Sequence, residues 1–130
     1  MGSEMCIRDR LLPSSETNLH VSIYDNYSDV SAIVHTHSLY ATSVSTLLEE
    51  LPAIHYQIAD LGGPVKVAPY ETFGTEALAI EVEKNLKGRK AVLMKNHGAV
   101  TVGSDIEKSA SRAVLLELSL IHISEPTRPY

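Results

Sequence analysis

Apolar residues recur along this chain at two periods, and the alternation between them predicts its elements. Leu19, Ile23 and Tyr27 repeat at i, i+4, one face of a helix, so a helix is predicted from about Glu16 to Tyr27 with Ser14 or Ser15 as its cap. The run Val30-Ser31-Ala32-Ile33-Val34 then reads as a strand leading to His35 and His37. Ser38 opens a second helix, roughly Leu39 to Glu50, which Pro52 stops. A strand over Val65 to Ala68 precedes a helix from about Thr75 to Leu86, with Leu78, Val82 and Leu86 on one face and Gly88 closing it. Ala91 to Lys95 and Ala99 to Val102 read as two strands around His97-Gly98, a candidate hairpin. Ser104-Asp105-Ile106-Glu107 has the pattern of a capping box, and the helix it opens runs toward Glu117. This mixture predicts an α/β domain with a central sheet covered by helices, in which the hairpin requires some antiparallel pairing.

The two ends read differently. Residues 1 to 10 and 118 to 130 carry no period that joins them to their neighbours, and both resemble peptides translated from sequencing-adapter DNA. The expected domain therefore runs from 11 to 117, truncated at both sides, with non-native tails. With 130 residues the chain is expected to form one domain, and 44% hydrophobic with 21% charged residues suits a soluble globular protein. A net charge of -5 without a basic cluster argues against nucleic acid as a partner, and no apolar run is long enough to suggest a membrane span. The start lacks an apolar signal region and a myristoylation pattern. Cys6 is the single cysteine, so no intrachain disulfide can form and a reducing, cytoplasmic setting is expected.

The histidines carry the chemical signal. On a strand, residues i and i+2 project from one face, so His35 and His37 can converge on one ion. His97 stands at the turn Asn96-His97-Gly98, where a glycine permits a sharp backbone path, and is the candidate third ligand. Three protein ligands with an open position describe a catalytic zinc site. Two ordinary hydrogen-bonded histidines would show the same pair, and periodicity does not separate the two readings.

The order of motifs adds what spacing leaves open. Pro13-Ser14-Ser15-Glu16-Thr17, His35-Thr36-His37, His55-Tyr56, Ala68-Pro69-Tyr70-Glu71-Thr72-Phe73-Gly74-Thr75 and Asn96-His97-Gly98 together resemble the class II aldolase/adducin family, over about Pro13 to Glu117. The resemblance implies a central, mainly antiparallel sheet covered by helices on both faces. It implies Zn2+ held by His35, His37 and His97, with Glu16 beside the metal as acid/base. It implies further that Ser14 and Ser15 bind a substrate phosphate, in agreement with hydroxyls and free N–H groups at a helix start, and that Tyr56 acts at a neighbouring subunit's site. Tyr70 and Phe73 are read as structural aromatics.

The activity so implied is zinc-dependent cleavage of a phosphorylated ketose, such as L-fuculose 1-phosphate, to dihydroxyacetone phosphate and a small aldehyde. Retro-aldol cleavage leaves a carbanion beside a carbonyl, and zinc draws that charge onto oxygen as an enediolate. Glu16 then moves the proton at carbon, and Tyr56 serves the aldehyde oxygen. The expected partners are the sugar phosphate and other copies in a cyclic homotetramer with its active site at the subunit interface. Upstream phosphate loops and a C-terminal closing segment of the family are not found in this sequence. Alternatives within the family are ribulose-phosphate 4-epimerisation, against which Glu16 stands where Asp is usual, and methylthioribulose-phosphate dehydration. A non-catalytic adducin-like module is a further alternative, whose expected loss of zinc ligands is not seen.

Overall fold

The computed structural model describes residues 12–125. Its elements are α1 (Thr17–Asn26), β1 (Ala32–Thr36), α2 (Leu39–Ser45), β2 (Glu50–Leu51), a 3-10 helix (Tyr56–Leu61), β3 (Val65–Ala68), α3 (Glu76–Leu86), β4 (Ala91–Met94), β5 (Gly98–Gly103) and α4 (Ile106–Ser124). The five strands form one sheet in the order β1-β5-β4-β3-β2. Only β3 and β4 run parallel; the other three neighbouring pairs are antiparallel, so the sheet is mixed and mainly antiparallel.

Both faces of the sheet are buried, which explains why β4 reads as an unbroken apolar run. Its side chains alternate: Val92 and Met94 join Leu19 and Ile23 of α1 and Leu78, Val82 and Leu86 of α3, while Ala91 and Leu93 join Val44 of α2 and Leu116 and Leu120 of α4. Each fully buried leucine here resists truncation to alanine by about 2 to 5 kcal/mol, because the lost contacts leave a cavity.

The predicted helices α1 and α3 form nearly as expected, but caps and boundaries differ in α1, α2 and α4. α1 is capped at Glu16 rather than by a serine, although Ser14 Oγ accepts from the Glu16 N–H at 3.1 Å. α2 ends at Ser45 instead of Glu50, leaving Glu50 and Leu51 free to pair with β3. Ser38 gives α2 no side-chain cap; the Glu117 carboxylate does, accepting from Tyr40 N at 2.9 Å and Ala41 N at 3.3 Å. Such a cap lies 77 residues away in sequence and leaves no local signal. In α4 the cap is Asp105, whose side chain accepts from Lys108 N, one residue after the expected Ser104.

α4 continues past Glu117 to Ser124, with Leu116 and Leu120 one turn apart in the core and Ile123 packed beside them. Positions 118–124 thus share the helical period of the residues before them, contrary to expectation. The expected tail at 1–10 lies outside the described residues. Among the described residues, no helix is long and apolar enough to cross a membrane.

Candidate metal centre and cleft

The site lies where the sheet's first two strands meet the start of α1. His35 sits on β1 opposite Val100 of β5, on the face that carries Ile33 and Val102, and His37 follows just past the strand. Because β5 pairs with β1, the β4–β5 turn lies beside His37 and brings His97 with it. Nε2 of His37 stands 3.0 Å from Nε2 of His35 and 3.0 Å from Nε2 of His97.

The turn works differently from the expected one. Its left-handed residue is Asn96, with φ 59°, a conformation asparagine tolerates better than most side chains. Gly98 is required instead by closeness: a Cβ there would overlap the Thr36 carbonyl oxygen of β1. This glycine lets the turn that carries His97 press against the strand that carries His35.

Glu16 completes the arrangement. It is buried, with 5% of its surface exposed, and its Oε1 accepts from Gly74 N at 3.0 Å and lies 3.8 Å from His97 Nε2. Gly74 has φ 73° and a Cβ on it would come within 2.8 Å of the Ser15 carbonyl oxygen, so only glycine delivers that N–H to the carboxylate. The loop before α3 therefore holds the carboxylate at the start of α1.

The donor set fits a divalent metal ion. His35 Nδ1–H donates to the Ala99 carbonyl at 3.0 Å, which fixes the tautomer and leaves the Nε2 lone pair free. Burial pushes His35 and His97 below the ordinary histidine range, outweighing the opposite pull of the Ala99 carbonyl on His35 and of Glu16 on both, so both imidazoles are neutral at neutral pH, the state a metal ion requires. Tetrahedral zinc with Zn–N bonds of about 2.0 to 2.1 Å needs ligand nitrogens roughly 3.3 Å apart. The three ligand atoms, all within 4.8 Å of one another, are close to that arrangement.

A cleft of about 420 Å³ opens over these residues, lined by Ser14, Ser15, Glu16, His35, His37 and His97 together with Tyr70, Glu71, Phe73 and Asn96. Among the predicted site residues, Tyr56 alone is absent from this lining; it lies on the 3-10 helix, 83% exposed. Tyr70 and Phe73, read from sequence as structural, are 59% and 66% exposed and belong to the cleft wall. Glu71 and Asn96 were not anticipated. Asn96 was legible in principle, as an asparagine in a tight turn next to His97. Glu71 lies in the loop between β3 and α3, where no periodicity reports which way a side chain faces.

Residues 3–120 match the family model described as Class II Aldolase and Adducin N-terminal domain. The chain is similar to the L-fuculose phosphate aldolase of Escherichia coli K12, with 44% identity over 99 residues, 75% of this chain and 46% of that protein. It is similar also to a 5-deoxy-D-ribulose 1-phosphate aldolase of Bacillus thuringiensis, with 43% identity over 105 residues, 81% of this chain and 49% of that one. A solved L-fuculose 1-phosphate aldolase superposes with a TM-score of 0.85 at 37% identity, covering 93% of this chain and 58% of that chain. The chain thus spans about half the length of the curated relatives it matches.

Proposed function

The chain belongs to the class II aldolase and adducin family, and from that premise we propose that it is the metal-binding part of an aldolase that splits a phosphorylated ketose into dihydroxyacetone phosphate and a small aldehyde. One observation carries the reading: three imidazoles converge beside a buried carboxylate, in a cleft whose wall includes two serines at a helix start. A non-catalytic module has no use for that combination.

In cleavage the bond between the carbons α and β to the ketose carbonyl breaks, its electron pair stays on the α carbon, and the hydroxyl on the β carbon gives up its proton and becomes the aldehyde oxygen. His35, His37 and His97 would hold the ion, zinc in our reading, and when bound it supplies a Lewis acid for the carbonyl oxygen. Glu16 delivers a proton to the α carbon in cleavage and removes it in synthesis, and Gly74 N–H keeps the carboxylate aimed while it does so. Ser14 and Ser15, exposed at the start of α1, offer hydroxyls to the substrate phosphate. Tyr56, exposed and outside its own chain's cleft lining, suits the group that takes the hydroxyl proton at the nascent aldehyde oxygen in cleavage and returns it in synthesis, in a neighbouring subunit of a homotetramer. We place the enzyme in the cytoplasm.

L-Fuculose 1-phosphate is the first substrate to test, given the identity to the Escherichia coli enzyme. A 5-deoxypentulose 1-phosphate is the second, because the Bacillus thuringiensis relative of nearly equal identity is named for it. The decisive assay follows deuterium exchange at the hydroxymethyl carbon of dihydroxyacetone phosphate by the zinc-loaded protein. Glu16→Gln should keep its zinc yet exchange about 10² to 10⁴ times more slowly, the usual contribution of a positioned acid/base. Exchange at the wild-type rate with zinc bound would assign the proton transfer to another group.

A further inference from the structure

Two hydroxyl side chains of α2 tie that helix to the turn that carries His97. Ser45, fully buried, accepts from Asn96 N–H at 3.0 Å through its Oγ and donates to the Thr42 carbonyl at 2.7 Å. Thr42 Oγ1 lies within hydrogen-bonding distance of two carbonyl oxygens, Ser38 at 2.9 Å and His97 at 3.2 Å. Thr42 has one hydroxyl proton, shared between these two acceptors, so the turn receives a full bond at the Asn96 N–H and a shared one at the His97 carbonyl, on either side of the peptide between the two residues.

We propose that Thr42 and Ser45 are positioning residues for the metal centre, acting as a buckle that sets the pitch of the β4–β5 turn and hence the place of the His97 imidazole. The need for such a device follows from the turn itself. Asn96 adopts a left-handed conformation, which costs energy in any residue with a Cβ and persists only where the surroundings hold it. β-Sheet pairing fixes the turn at Met94↔Gly98, and His97 N–H donates to the Met94 carbonyl, but neither bond reaches Asn96 N–H or the His97 carbonyl. Those two groups are held by the helix.

The helix in turn is anchored independently of the turn. The Glu117 carboxylate of α4 accepts from the N–H groups of Tyr40 and Ala41, and Ala41 and Val44 are packed in the core beside Leu116 and Leu120. α2 thus serves as a fixed post against which a strained turn is braced. His35 has its own brace, the Ala99 carbonyl, so two of the three ligands are oriented by bonds from outside the ligand set.

This inference rests on the metal-centre reading above, and its test is metal affinity and geometry rather than turnover. Zinc affinity would be measured on the whole 130-residue chain by competition with a chromophoric chelator, and ligand geometry by the visible bands of the cobalt(II) form. Ser45→Ala and Thr42→Val should weaken zinc by about 10- to 100-fold, the usual effect of losing a group that orients a ligand, and should shift the cobalt bands. Thr42→Ser, which keeps the hydroxyl, should restore both. Leu86→Ala, a cavity at the end of α3 remote from Glu16, reports the effect of lost stability alone and should leave affinity and bands unchanged. If Ser45→Ala fails to fold, Thr42→Val against Thr42→Ser decides. Wild-type affinity with unaltered cobalt bands in the hydroxyl-lacking variants would overturn the buckle while leaving the metal centre standing. A wild-type chain that binds neither metal would overturn both.

Discussion

At the scale of single residues, the site depends on three histidines that the sequence marks and on a glycine, Gly98, whose role differs from the one its position suggests. Gly98→Ala should cost roughly 1 to 3 kcal/mol or more, because a Cβ has no room beside the Thr36 carbonyl and β1 or the turn must move. Urea unfolding measures it, and an unchanged midpoint would show that the strands accommodate the methyl group. The neutral histidines make a second prediction, about pH. His35 and His97 bind protons less readily in the folded chain than in the unfolded chain, so below the unfolded value of about 6.5 the unfolded state takes up more protons. Metal-free protein should therefore lose stability as pH falls through that value, until the lower folded values are passed. His35→Asn should flatten part of this slope; a slope unaffected by the substitution would place the linkage elsewhere. That His35, His37 and His97 come together was legible in the order of their motifs, whereas Glu71 in the cleft wall was not, since a carboxylate in a loop carries no period.

At the scale of elements, the sequence announces those whose stabilising contacts are local in pattern and hides those that rest on distant partners. α3 is readable because Leu78, Val82 and Leu86 mark its buried face and Thr75 caps it, accepting from Leu78 N at 3.2 Å. The 3-10 helix and the two-residue β2 are not, since Ile58, Leu61 and Leu51 become apolar anchors only when α4 and β3 arrive beside them. α2 shows both effects: its start is marked by Ser38, yet the group that caps it is Glu117. Glu117→Gln, which keeps an acceptor but loses charge, should destabilise the fold less than Glu117→Ala. The alanine variant leaves two helix N–H groups without their acceptor and should cost about 1 kcal/mol or more by thermal unfolding. Equal stability in the two variants would mean that the carboxylate matters only as a charge.

At the scale of the whole molecule, the fold is a sheet clamped between two helical layers, with the three histidines gathered at the end of the face that α1 and α3 cover. Neither layer alone makes the site: β1 and the residue just past it supply two histidines, the β4–β5 turn a third, and the N-terminus of α1 the carboxylate. Tyr56 is the residue that one chain leaves unused, and if it serves a neighbour then Tyr56→Phe should lower cleavage while leaving bound zinc and deuterium exchange nearly intact. A parallel loss of exchange and cleavage would instead place Tyr56 at the same proton as Glu16. The central claim is that three histidines from two separated stretches of chain hold one ion. Its most direct test is zinc content after dialysis, measured by elemental analysis on wild type and His37→Ala side by side. The account predicts close to one zinc per chain in the wild type and almost none in the variant, since two imidazoles do not hold the ion as three do. Equal zinc in the two proteins, or none in the wild type, would contradict it.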